Sequence, residues 1–165
     1  MGKRVLSTLV NNTFGVLSRV SGLFSRRGYN IDSLTVGVTA DPRYSRMTVV
    51  VSGDELILDQ IEKQLAKLED IIGIRELKLG ESVYRELILL KVKVEDKDRQ
   101  AVIAIVDIFR AKVVDVAKDS MMIELTGDQS KLDAFIGLLE GYEILELART
   151  GITGLSRGME NVTYL

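Results

Sequence analysis

The spacing of apolar residues along this chain changes in one order and then repeats that order. Alternation marks strands, and a period of roughly 3.6 marks an amphipathic helix. Arg4 to Val10 is apolar and β-branched enough for a strand buried on both faces. From Val16 to Arg27, Val16, Val20, Leu23 and Phe24 share one helical face, with Ser18, Arg19, Ser21, Ser25 and Arg26 opposite. Ile31 to Thr39 alternates, with Leu34, Val36 and Val38 on one side, and Asp41-Pro42 marks a turn into a strand from Met47 to Val51. Asp54 and Glu55 open a second helix with Ile57, Ile61, Leu65 and Leu68 as its buried stripe, and Ile71 to Leu79 gives a fourth strand.

The order βαββαβ then recurs. Leu87 to Val94 reads as a strand, Asp98 to Phe109 as a helix, and Val113 to Val116 and Met121 to Leu125 as strands. Asp128 to Leu139 is a helix with Leu132, Phe135, Ile136 and Leu139 in line, and Ile144 to Ala148 closes the unit. The chain therefore reads as an α+β protein of two ferredoxin-like βαββαβ units, 1–80 and 81–165, joined near Gly80-Glu81-Ser82. Little side-chain identity connects the halves, so the repeat is one of architecture. Gly151 to Gly158 is too rich in glycine for a regular element.

Composition removes whole classes of chemistry. The 165 residues contain no cysteine and no histidine. That excludes disulfides, thiolate metal sites, iron–sulfur clusters and a cysteine nucleophile. It also removes the side chain most used as a general acid or base near neutral pH. The formal net charge is −2, with no electrostatic footprint for nucleic acid or an anionic membrane. Met1-Gly2-Lys3-Arg4 turns polar again by Asn11-Asn12, too soon for a signal peptide's apolar core. No apolar run approaches the ~20 residues of a membrane span, so a soluble, cytoplasmic protein is expected.

One motif speaks for ligand binding. In Asn12-Thr13-Phe14-Gly15-Val16-Leu17 a glycine stands where strand passes to helix, and Gly28-Tyr29-Asn30-Ile31 follows that helix. A helix start carries unpaired N–H groups and partial positive charge, so it can hold a carboxylate without a basic side chain. Asparagine offers a donor and an acceptor, which suits an α-amino acid. Gly15 alone is equally what a tight turn needs, and Asn12 and Thr13 are equally ordinary helix caps. The two loops stand a helix length apart, so gripping one small ligand requires two subunits with opposite loops meeting at a symmetric interface.

Other features have plainer explanations. Arg26-Arg27, Arg43 and Arg46 read as solvated charges, and Met121-Met122 as packing. Glu95-Asp96 and Asp98 resemble a magnesium site, yet acids at a helix entrance already stabilise its dipole. The helix from Asp98 to Phe109 is apolar around most of its circumference, which means a crowded core or a partner. Single-stranded RNA binding by such units uses aromatic residues on the central strands, and Val5 to Val10 and Met47 to Val51 have none. An acylphosphatase-like enzyme would draft Gly15, Arg19 and Asn30 into an anion loop, but the loop sequence does not match.

Taken together, these residues resemble a known family. The first half resembles an ACT domain, a ligand-sensing module of amino-acid biosynthesis. The whole chain resembles the small, regulatory subunits of acetolactate synthase (acetohydroxyacid synthase). The resemblance rests on Leu17-Ser18-Arg19-Val20, on Gly22 through Ile31, and on Ser33-Leu34-Thr35-Val36. Ser45-Arg46-Met47-Thr48, Gln60 through Leu65 and Gly154-Leu155-Ser156-Arg157-Gly158 add to it. It implies a non-catalytic chain without a cofactor that binds a large catalytic subunit and raises its activity. That subunit uses thiamine diphosphate, magnesium and FAD in the first shared step towards valine, leucine and isoleucine. The small subunit also confers feedback inhibition, usually by valine. By matching positions, the effector site would take Asn12, Gly15, Val16 and Leu17 from one protomer and Asn30 and Ile31 from its neighbour in an ACT homodimer. An ACT-type sensor serving another biosynthetic enzyme is the alternative.

Overall fold

The computed structural model describes residues 1–160. The described chain falls into two compact units, one of Met1–Val83 with the segment from Ile152, the other of Tyr84–Gly151. The expected domain limits are 1–80 and 81–165; in this division the segment from Ile152 to Glu160 joins the first unit.

In the first unit, β1 (Gly2–Asn11), α1 (Val16–Arg27), β2 (Ile31–Val38), β3 (Tyr44–Gly53), α2 (Glu55–Ala66) and β4 (Ile71–Glu76) follow in order. The sheet order is β2-β3-β1-β4, all neighbours antiparallel. β1 and β2 are therefore parallel with β3 between them, the split βαβ arrangement. The second unit repeats it with β5 (Ser82–Lys93), α3 (Arg99–Ile108), β6 (Lys112–Val116), β7 (Ser120–Gly127), α4 (Gln129–Leu138) and β8 (Ile144–Arg149), in sheet order β6-β7-β5-β8. Even the irregularities correspond. The register shifts at Leu9/Val10 between β1 and β4, and at Lys91/Val92 between β5 and β8.

Each core follows from the alternation. Leu6, Val10, Met47, Val49 and Val51 face Val16, Val20, Leu23 and Phe24 of α1 and Leu58, Ile61 and Leu65 of α2. In α2 the structure corrects the stripe: Leu58 is fully buried while Ile57 is exposed. Leu68 only flanks the core. Arg4 of β1 ties down the flank of α2, with Glu55, Asp59 and Glu62 of that helix and Glu76 of β4 all within salt-bridge distance. In the second unit Ile88, Leu90, Val92 and Val94 pack on Val102, Val106, Leu132 and Phe135. The apolar girth of α3 serves this core through Ile103, Ile105 and Phe109, whereas Ile108 stays exposed. Met121 is core as expected; Met122, one residue on, faces away from it.

The glycine-rich tail is the larger correction. Thr153–Ser156 forms β9, which pairs with β5. The Thr35 hydroxyl donates to Ile152 O at 3.3 Å, Arg157 N–H donates to Glu81 O at 2.8 Å, and Arg75 reaches Glu160 at 2.6 Å. A neighbouring strand supplies the hydrogen-bond partners that this segment's own composition does not promise.

Both first helices end alike. Gly28 at φ 67° and Arg110 at φ 55° each follow the last helical turn in the left-handed conformation. Tyr29 N–H returns to Phe24 O at 3.0 Å, and Ala111 N–H to Val106 O at 2.9 Å. Glycine adopts this conformation freely, whereas arginine does so against its Cβ. Arg110→Gly is therefore expected to stabilise the second unit by up to ~1 kcal/mol, read as a higher midpoint in thermal unfolding. An unchanged or lower midpoint would mean that the arginine side chain contributes more than its strain costs.

Candidate functional site

β1 leaves the sheet at Asn11, and a short loop carries the chain to α1 through Gly15, whose φ of 83° is open to glycine with least strain. Gly15 O accepts the first helical bond, from Arg19 N–H at 3.0 Å. The N–H groups ahead of it, of Val16, Leu17 and Ser18, have no intrahelical acceptor and point out of the helix end. No side chain caps them, and the first turn contains no acid. The α2 and α4 starts are different: Asp54 accepts from Ile57 N–H, and Asp128 from Lys131 N–H. The equivalent helix of the second unit, α3, begins at Asp98 beside Glu95 and Asp96 and has no glycine there. The start of α3 is likewise without a side-chain cap, but an acid, Asp98, stands at its cap position, so among the described residues α1 is the uncapped helix whose start has no acid to offset its positive end.

Asn12 and Thr13, weighed above as caps of α1, do not cap it; Gly15 occupies that position. Asn12 instead braces the loop against the β2–β3 turn. Its backbone N–H donates to Arg43 O at 2.8 Å and its side-chain amide to Pro42 O at 2.9 Å. That turn is itself tied by Asp41, whose carboxylate accepts from the Arg43 guanidinium and backbone N–H. These bonds from Arg43 hold the Asp41 carboxyl down at about 2. Arg43 therefore shapes a turn, and Arg46 is half-buried and donates to Ser7 Oγ at 2.8 Å. Neither is merely a solvated charge.

Val16 does not face the loop. It is 5% exposed and belongs to the core, so its side chain is turned from any ligand at the helix start. Leu17 and Phe14 are exposed on either side of Gly15 and supply the apolar surface there. Asn30 and Ile31 lie at the far end of α1, about 18 Å away for twelve helical residues. One N–H of the Asn30 amide donates to Asp32 at 2.8 Å, and Asp32 also accepts from the Ser52 hydroxyl. Ile31 packs on the first core. Within one chain, then, Asn12, Gly15 and Leu17 come together and Asn30 and Ile31 do not join them. A groove of about 390 Å³ along β2, lined by Thr35, Val36, Thr39, Arg46, Thr153 and Leu155, includes none of these residues.

Two residues at the helix start were not singled out as partners in the sequence. Arg19 donates to the Asp70 carboxylate from Nε at 2.6 Å and Nη2 at 3.1 Å, and from Nη2 to Phe14 O at 3.4 Å. This pairing holds the Asp70 carboxyl below its ordinary range. Arg19 is thus committed to a carboxylate of the protein, unlike the anion-loop arginine that the phosphatase alternative needs. No group of acids among the described residues is arranged to hold a metal ion.

Two ferredoxin-like units, the first with a glycine-opened, uncapped helix start bounded by apolar side chains, fit the architecture of the ACT class. A family model described as an AHAS small subunit-like ACT domain matches residues 6–73, and one described as the small subunit of acetolactate synthase matches 85–158. The chain is 47% identical over 155 residues to the probable acetolactate synthase small subunit of Methanothermobacter thermautotrophicus, covering 93% of this chain and 92% of that one. It is 48% identical over 157 residues to the acetolactate synthase isozyme 3 small subunit of Escherichia coli, covering 94% and 96%. The crystal structure of the acetolactate synthase small subunit from Thermotoga maritima superposes with a TM-score of 0.88 at 41% identity, over 96% of this chain and 99% of that one. The chain belongs to the acetolactate synthase small-subunit family, and its role is regulatory. No helix among the described residues is long and apolar enough to cross a membrane.

Proposed function

We propose that this chain binds the catalytic large subunit of acetolactate synthase in the cytoplasm, raises its activity, and makes it sensitive to valine. Thiamine diphosphate, magnesium and FAD belong to the large subunit in this reading. The small subunit contributes binding and regulation, not a catalytic group. The observation that carries the sensor assignment is the uncapped start of α1 at Gly15, where no acid stands at the cap position as Asp98 does at the uncapped start of α3. Its N–H groups suit the carboxylate of a free amino acid, and Leu17 and Phe14 suit a branched side chain.

The far loop supports a paired arrangement. Asn30 stands too far from Gly15 to share a small ligand within one chain, so the effector lies between two copies, with Asn12, Gly15 and Leu17 from one and Asn30 and Ile31 from the other. Val16 and Ile31 then serve by holding the backbone that carries their neighbours, since both pack on the core. The second unit, 84–151, docks on or stimulates the large subunit. Valine inhibits only by binding one arrangement of the complex better than the active one. A coupling of ~1–3 kcal/mol is typical, and the active arrangement must weaken valine binding equally. An apolar wall separates valine from leucine or isoleucine by only ~1–3 kcal/mol per methylene.

Calorimetric titration with the three amino acids, beside rate measurements with the purified large subunit, tests this reading. Binding of one of them, with stimulation and inhibition by it, is the expected result. Acetolactate formation by this chain alone, or stimulation insensitive to all three, would overturn it.

A further inference from the structure

The loop that carries Gly15 is held from a place remote in sequence. Asp70 sits in the turn between α2 and β4, where Ile71 N–H returns to Leu68 O at 3.0 Å. Its backbone carbonyl accepts from Asn11 N–H at 2.9 Å, at the last residue of β1. Its side chain takes the two Arg19 bonds, from the first turns of α1. A single residue thereby grips both ends of the Asn12–Gly15 loop, one through its backbone and one through its carboxylate.

We propose that Asp70 is a positioning residue for the effector loop and that Arg19 is the arm through which it acts. This rests on the effector reading above. The guanidinium also lies against Gly15: a Cβ built there would sit 2.9 Å from Arg19 Nη1. Arg19 so placed confines the loop between its own plane and the Pro42-Arg43 turn that holds Asn12. Exposed ion pairs ordinarily contribute little, because two long side chains must be ordered to make them. This one has the forked, two-bond geometry in which a planar guanidinium fixes orientation as well as distance. Its Asp70 side chain is 15% exposed and rests on a tight turn. The consequence is preorganisation: the N–H groups at the start of α1 already point where a carboxylate will sit, and less ordering is left to be done on binding.

The pair makes a specific prediction about non-additivity. Asp70→Asn keeps the backbone carbonyl and the shape of the side chain but gives up the charge-assisted fork; Arg19→Gln removes the other half. In the full chain, each is expected to weaken valine binding by ~tenfold in calorimetry, and the double variant by no more than either alone. Amide hydrogen exchange at residues 12–17 should quicken in all three, while stimulation of the large subunit stays within about twofold. Faster exchange with unchanged valine affinity would overturn the proposal, as would additive losses. Tighter binding in Asp70→Asn would also overturn it, by making the freed Arg19 a direct ligand. Should the wild-type chain bind no valine, the effector reading falls, and exchange alone judges the brace: rates unchanged by Asp70→Asn would sink it.

Discussion

Gly15→Asp should give a small subunit that still stimulates its partner but no longer passes on inhibition by valine. The new carboxylate would stand among the N–H groups that the ligand's own carboxylate needs, and like charges repel there without water to screen them fully. It would also lie beside Arg19 and compete with Asp70 for that guanidinium. A rise of more than tenfold in the valine concentration for half-inhibition is expected, equivalent to more than ~1.4 kcal/mol of binding. Backbone strain is a second effect of the substitution, because any side chain at φ 83° costs ~1–2 kcal/mol. Gly15→Ala carries that strain, and the same 2.9 Å contact of its Cβ with Arg19 Nη1, without the charge. Inhibition curves for the two variants beside the wild type separate the charge from the rest: equal losses would assign the result to strain and the displaced Arg19, and unchanged inhibition in both would remove Gly15 from the site.

Phe135→Ala should disable the second unit first. Phe135 is fully buried and meets Phe109 edge to face, with ring centroids 5.4 Å apart. Truncation of such a phenylalanine costs ~3–5 kcal/mol, a large part of a small domain's ~5–15 kcal/mol of stability. The cavity would lie between α4 and α3, beneath the sheet formed by Ile88, Leu90 and Val92. Near the lowered unfolding temperature, stimulation of the large subunit should fail while valine still evolves heat on titration into the chain. Loss of both together would show that the two units melt as one and would withdraw the division of labour proposed for them.

Much of this protein is legible in the pattern of its residues, and the places where it is not share a cause. The α2 stripe is an instance. Positions 57, 61, 65 and 68 satisfy a helical period about as well as 58, 61 and 65, and only the seating of the helix on the sheet selects Leu58 over Ile57. The strand at Thr153–Ser156 is another: Gly154 within it and Gly151 and Gly158 around it argue against a strand, and the partner that makes it one, β5, lies some seventy residues earlier. Val16 sits both on the apolar face of α1 and at the helix start, and the core takes its side chain, leaving only its backbone N–H for an effector. Arg19 and Asp70 carry no mutual signal, since opposite charges fifty-one positions apart are common on any surface.

The order of strands and helices, the two cores and the glycine that opens α1 are matters of local chemistry. Periodicity, turn residues and freedom at positive φ act within a few residues of chain, so the sequence alone determines them. Which ends of the chain meet is different. The joining of β1, α1 and the α2–β4 turn through Asp70, the holding of Asn12 by Pro42 and Arg43, and the pairing of β9 with β5 arise only when distant segments are brought together. Hydrogen bonds and ion pairs act over a few ångströms of space and are indifferent to distance along the chain, so the tertiary structure alone decides which of them form.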